Sequence, residues 1–323
     1  MIERRTAGAG LGLALLSAAT FSTSGSFARS LTDAGWSSAA AVAIRVGLAA
    51  AMLAVPAAVA MRGRWRALRR DLGMVTIYGL VAVAGCQVCF FNAVQHLSVG
   101  VALLLEYTGT VLVVGWLWLR HRQRPRRLTV AGSVVAVLGL AFVLDLAGGS
   151  RLDPVGVLWG LAAAFGLAAY FVLSARVDGD LPPVVVASGG MGIGTVALIA
   201  LGGLGLLPMH ASFGGVDFAG QRTPWWVPVL GLSLVAAAIP YVAGIGAARM
   251  LGAKLSSFVG LTEVVFAVLV AWLLLAELPT GGQLVGGALI IAGVALVRVD
   301  ELRPAQPLLD APTSPVPVEV ALP

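Results

Sequence analysis

Residues 108–139 read TGTVLVVGWLWLRHRQRPRRLTVAGSVVAVLG, and residues 262–293 read TEVVFAVLVAWLLLAELPTGGQLVGGALIIAG. The two stretches align without a gap at an offset of 154 positions, which lays Thr108 on Thr262, Trp118 on Trp272, Leu119 on Leu273 and Pro125 on Pro279. It also lays Gly132 on Gly286 and Gly139 on Gly293, and upstream Ala93 on Ala247 and Leu97 on Leu251. One offset that holds across two apolar runs and the loop between them marks an internal repeat. Each run is about 20 residues long, the length of helix that crosses a ~30 Å hydrocarbon core. The repeated unit is therefore a set of membrane-spanning helices.

Composition agrees. The chain is 59% hydrophobic and 11% charged, against about 25% charged residues in a soluble domain. Only a bilayer tolerates helices that are apolar all round. The 41 glycines suit close helix packing where lipid removes the hydrophobic drive to associate. The formal charge of +6 does not indicate nucleic acid, because the basic residues sit in short clusters between apolar runs.

Apolar runs bounded by charges, prolines and glycine clusters predict helices over 9–28, 36–60, 72–95, 98–119 and 128–146, then 154–175, 183–207, 225–247, 253–275 and 279–298. With the N-terminus in the cytoplasm, 17 of the 21 basic residues fall on the inner side, including Arg62, Arg64, Arg66, Arg69 and Arg70 in one loop and Arg120, Arg122, Arg124, Arg126 and Arg127 in another. Only Arg29, Arg151 and Arg222 fall outside, and Arg45 lies within a helix. The positive-inside rule thus favours ten spans with both termini cytoplasmic, in the inner membrane. Five spans per half is an odd number, so the second half enters with opposite orientation. The expected fold is all-α, ten transmembrane helices in a 5+5 inverted-topology repeat, with residues 1–147 and 148–298 as the halves and a substrate site between them. Residues 299–323, rich in proline, are expected to form a disordered cytoplasmic tail.

Other features exclude other classes. Glu3-Arg4-Arg5 before an apolar stretch resembles a signal peptide, but no small-x-small cleavage site ends it, so it is read as a retained first span. Cys86 and Cys89 are too few for a four-cysteine zinc site and read as small helix fillers rather than a redox pair. His96, His121 and His210 form no metal constellation, and Gly190-Met-Gly-Ile-Gly194 lacks the strand context of a dinucleotide fold. No metal or other cofactor is expected. A membrane-embedded enzyme would need a nucleophile–base pair or ligand cluster that the spans do not offer, and no soluble domain speaks for a signalling or scaffold protein.

Ionisable groups within spans are costly and mark function. Glu106 and Glu263 are the main candidates, either to bind a substrate ammonium or to carry a coupling proton; the alternative is a polar anchor at a helix interface. Neutral candidates to line a cavity are Ser24 and Thr20 on the first helix (a face shared with Ser17), Gln87 and Asn92 on the third, Tyr107 beside Glu106, Trp159 and Tyr170 on one face of the sixth, and Tyr241. Pro240 is placed to kink its helix or free a carbonyl. Arg45 reads as a structural charge, paired or snorkelling, and Glu277 as another at a membrane edge.

The stretch from Leu255 to Pro279, followed by Gly286-Gly287 and Gly293, resembles the second signature of EamA-type transporters in the drug/metabolite transporter superfamily. Glu277 matches that family's acidic residue at the end of the penultimate helix, and Arg45 the arginine common in the second. The stretch Ala102-Leu-Leu-Leu-Glu-Tyr-Thr-Gly-Thr-Val111 resembles the first-half counterpart, closest to the threonine/homoserine-exporter branch. Departures are Gln123 where the second half has Glu277, and Thr110 where relatives often have proline. The resemblance implies that helices 1, 3, 4, 6, 8 and 9 surround a cavity, with 5 and 10 peripheral. The expected function is a secondary transporter that exports amino acids or related metabolites by alternating access, or else a multidrug or other-metabolite permease of the same fold. Its partners would be a small-molecule substrate and the lipid bilayer, with proton coupling and a monomer or homodimer both open.

Overall fold

The computed structural model describes residues 2–63, 65–97, 99–121, 125–143, 153–176, 181–275 and 278–302. Glu277 and Gln123 lie outside the described residues, as do 303–323.

The chain begins with α1 (Ile2–Phe21) and α2 (Ser24–Asp33). They form one bent rod, because the hydroxyls of Thr20, Ser22 and Thr23 donate back to Leu16, Ala19 and Thr20 carbonyls at 2.7 Å each and so loosen the helix ladder. Next come α3 (Ser38–Ala60), α4 (Trp65–Ile77) and α5 (Cys86–His96), the last two joined by a π-helical segment, Tyr78–Gly85. The first half closes with α6 (Val99–Tyr107), α7 (Gly109–His121) and α8 (Arg127–Val143). The second half holds α9 (Pro154–Ser174), α10 (Pro183–Gly203), α11 (Trp226–Leu230), a second π-helical segment (Gly231–Ala238), α12 (Ile239–Gly260), α13 (Thr262–Leu275) and α14 (Gly281–Leu302). The two π segments fall at positions that the 154-residue offset relates to within one residue.

Among the described residues, eight helices are long and apolar enough to cross a membrane, and Arg127–Val143 is a shorter apolar one. The longest, Trp226–Gly260, is interrupted at Gly252, whose φ of 79° lies in the left-handed region that favours glycine. The backbone therefore turns there, and residues 253–260 run on towards α13.

Packing follows the repeat. α8 packs on α14 and α3 on α10, each helix against its own equivalent, while α1 on α12 and α5 on α9 exchange with one another when the halves are swapped. A β-carbon on Gly132 would lie 2.8 Å from Gly293 O, and one on Gly286 would lie 2.5 Å from Gly139 O. These two contacts are the same contact under the offset. They also show that α8 and α14 cross antiparallel at backbone distance, which only glycine permits.

Two features depart from the expected layout. A β-hairpin, β1 (Gly215–Phe218) and β2 (Gln221–Pro224), interrupts the all-α reading. Its two-residue turn, Ala219 and Gly220, has positive φ at both positions, the geometry that matches strand twist. Phe218 stacks on Phe27 at 5.0 Å, and Trp36 donates to Ser212 O at 2.6 Å, so this loop folds down over the ends of α2 and α3. The second departure is at the C-terminal end. The supposed tail begins too early, because α14 runs through Leu302. Asp300 is 3% exposed and accepts from the Thr129 hydroxyl at 2.5 Å, and Glu301 pairs with Lys254 at 2.6 Å.

The hairpin marks one end of the bundle. At the same end, His96 Nδ1 and Asp153 Oδ2 lie 2.8 Å apart and tie α5 to α9. The Val155 N–H, and then His96, hold the Asp153 carboxyl below the usual carboxylate range. At the other end Arg249 donates to Leu181 O at 2.5 Å.

Candidate functional site

A cavity of about 190 Å³ lies at the centre of the bundle, between the two halves. Of the residues expected to line it, Ser24, Gln87, Glu106, Tyr107, Tyr170, Tyr241 and Glu263 do so, and Arg45 joins them. Three fall elsewhere. The Thr20 hydroxyl turns to its own helix at Leu16 O. Asn92 does likewise, donating to Val88 O at 2.8 Å. Trp159 shares a helical face with Tyr170 but stands about 16 Å along the axis from it, and is 37% exposed.

The two glutamates approach from opposite halves. Glu106 ends α6, where the helix breaks at Thr108, whose hydroxyl donates to Leu105 O at 2.5 Å. Cys86 Sγ lies 3.3 Å from Glu106 Oε1, so one of the two cysteines read as filler touches the carboxylate. Glu263 sits in the first turn of α13, with the Tyr107 phenol facing it. Arg45 is 8% exposed, and its Nη2 donates to Ala236 O at 2.6 Å. Ala236 lies in the π-helical segment just before Pro240, which has no N–H of its own to donate to the helix ladder. The Pro240 carbonyl in turn accepts from Ser17 Oγ at 2.8 Å.

Aromatic rings close one side. Phe21 meets Tyr241 at 5.3 Å, Tyr241 meets Tyr170 at 5.8 Å, and Tyr170 meets Tyr78 at 6.0 Å. Gly244 is glycine because the Tyr170 hydroxyl occupies the space of a side chain there. Lining residues towards the Arg249 end (Ser17, Tyr170, Phe171, Tyr241, Ser256) are buried, whereas Ser24, Gln87, Phe90, Glu106 and Tyr107 are only partly so. The partly exposed lining residues Ser24, Gln87 and Phe90 thus lie on the hairpin side of the cavity. Phe21, Phe90, Phe171 and Ser256 were not foreseen, since an aromatic or a serine in an apolar run reads as packing until a neighbouring helix is placed.

The walls carry the repeat as well. At the 154-residue offset Gln87 corresponds to Tyr241, Phe90 to Gly244 and Glu106 to Gly260, and both members of each pair line the cavity. The first helix of each half needs an offset of 146, which relates Ser24 to Tyr170 and Phe21 to Leu167, again both lining. Contacts confirm this register: Ser17 against Pro240 O has its mate in Cys86 Sγ against Ala163 O at 3.5 Å.

An all-round apolar helix bundle that encloses a partly open cavity with several polar and charged side chains in a mostly apolar wall defines a multi-pass membrane protein. The chain belongs to the EamA-like transporter family, which matches residues 8–145 and 154–299. It is 31% identical to the "Probable terminal-alkyne amino-acid exporter" of Streptantibioticus cattleyicolor over 83% of this chain and 91% of that protein. It is 28% identical to the threonine/homoserine exporter RhtA of Salmonella typhimurium over 67% of each, and 27% identical to the uncharacterized transporter YdfC of Bacillus subtilis over 70% of this chain and 71% of that one. A solved crystal structure superposes with a TM-score of 0.73 over 90% of this chain and 97% of its own at 21% identity, a shared fold.

Proposed function

We propose that this transporter is a ten-span secondary exporter of amino acids or closely related small metabolites, working by alternating access between two inverted five-helix halves. The carrying observation is the cavity wall, in which repeat-related positions from both halves face one enclosed space. Ten spans follow if Gly252 separates the eighth helix from the ninth and if Arg127–Val143 and residues 253–275 each cross. Opposed halves are supported by the antiparallel glycine crossing of α8 and α14. The loop charges favour an inner membrane with the Arg249 end and both termini on the cytoplasmic side; on that reading the cavity faces outward, with the aromatic chain through Tyr241, Tyr170 and Tyr78 as the closed inner gate. Exchange of the halves would close the outer end and open the inner one.

Glu106 and Glu263 would bind a substrate ammonium or carry a proton during this exchange. Names of two relatives point to amino acids. The several aromatic rings of the lining favour, as a second reading, a permease for bulkier apolar compounds. Purified protein in liposomes separates the two: accelerated exchange of L-threonine or L-leucine supports the first, and exchange of a hydrophobic cation alone supports the second. Movement of none of these, with or without a proton gradient, would contradict transport.

A further inference from the structure

Arg45 is a guanidinium deep in an apolar bundle. It has five N–H donors, yet among the described residues it makes one hydrogen bond, from Nη2 to Ala236 O. Its Nε is buried without a partner. No described carboxylate approaches within 4 Å of it; Glu263 and Glu106 act on it only through space, as does Tyr241. A structural arginine would look different. A paired one would hold a carboxylate, and a snorkelling one would carry its head to the membrane surface. Arg45 instead lines the cavity with one ring, Phe21, 5.6 Å from its guanidinium carbon. The Ala236 carbonyl holds the head without neutralising it. A fixed, desolvated guanidinium with unused donors is matched by a planar oxyanion, which it can hold through charge-assisted hydrogen bonds.

We propose that Arg45 anchors the substrate's carboxylate while Glu106 and Glu263 face its ammonium, so that the cavity selects a zwitterionic α-amino acid over the same molecule without its carboxylate. This rests on the transport reading above and adds to it the group that recognises the acid. Charge complementarity supports it: one cation and two carboxylates line a single small cavity, and a zwitterion places opposite charges a few bonds apart.

The test uses full-length protein in liposomes exchanging radiolabelled L-leucine and L-threonine, with each unlabelled acid and its methyl ester as competitors. The ester keeps the ammonium and loses the carboxylate charge. In the wild type the ester should compete about ten- to a hundredfold more weakly than the acid, the range expected for losing a charged hydrogen bond. Arg45→Met should bring acid and ester to equal potency, and Arg45→Lys should restore part of the preference. Equal competition by acid and ester in the wild type, or an unchanged ratio in Arg45→Met, overturns the assignment. The wild-type comparison decides even where Arg45→Met fails to fold. Absence of any amino-acid exchange by the wild type contradicts the amino-acid reading on which the proposal rests, and is distinguishable from exchange that ignores the carboxylate.

Discussion

The seam between α8 and α14 and the cavity wall between α6 and α13 started from the same repeat and have diverged in opposite degrees. At the seam the two halves are interchangeable: Gly132 faces Gly293 as Gly286 faces Gly139. In the wall they are not. Glu106 corresponds to Gly260 and Glu263 to Gly109, so each half supplies one carboxylate about one helical turn out of register with the other. The space at those glycines is taken. A β-carbon at Gly109 would lie 2.6 Å from Ala164 O, and one at Gly260 would lie 2.9 Å from the Phe171 ring. Scaffold positions kept their symmetry because backbone contact admits a single residue type. Positions that face the cavity were free to differ, and an asymmetric solute needs them to.

The largest expected effect is at the seam. Gly139→Leu and Gly286→Leu should each abolish monodisperse folded protein on size-exclusion chromatography, since there is no room for a branched side chain against the facing backbone. The milder Gly132→Ala and Gly286→Ala, equivalent by the repeat, should lower the melting temperature by similar amounts, on the scale of about 1–3 kcal/mol for overpacking; a silent member would break the symmetry of the seam. In the wall, Glu106→Gln and Glu263→Gln should each reduce exchange about tenfold or more with expression and melting unchanged, and unaltered rates in both would remove them from the site. Smaller again is the contrast between Gly109→Ala and Gly260→Ala. The first meets backbone and should cost more stability than the second, which meets the end of a ring.

The smallest effect concerns the α5–α9 tie. Asp153 has its carboxyl pKa depressed by the Val155 N–H and by His96. A depressed folded-state value means that its stabilising contribution is present above the ordinary carboxylate range and is lost as pH falls through the lowered one. Asp153→Asn should therefore lower the melting temperature slightly at neutral pH, with the difference vanishing in acid below the carboxylate range. A difference that grows on acidification would contradict this origin.

Much of this was legible in the residues. Gly132, Gly139, Gly286 and Gly293 announced the repeat, and the same four glycines make the helix contact it produces. Glu106 and Glu263 stood out because charge within an apolar run demands a reason. What could not be read needed neighbours. Arg45 read as a structural charge, paired or snorkelling, because nothing in its own helix reveals the Ala236 carbonyl on the π-helical segment before α12. The 146-residue offset of the first helix was hidden because the chain between α9 and α12, which includes the hairpin loop, is longer than its counterpart between α1 and α5. The hairpin at 215–224 lies in a loop where no periodicity runs long enough to register, and Thr20 and Asn92 were drawn to their own helices' carbonyls.

The central claim, that one cavity between opposed halves is reached from each side in turn, is tested most directly by sided thiol labelling. In a Cys86→Ser, Cys89→Ala background, Ser24→Cys and Ser256→Cys would be probed with a membrane-impermeant maleimide in right-side-out and inverted vesicles. The account predicts that Ser24→Cys labels from the non-cytoplasmic face and Ser256→Cys from the cytoplasmic face, and that transported amino acid shifts the two rates in opposite directions. Labelling of both positions from the same face only, whether or not amino acid is present, would contradict it.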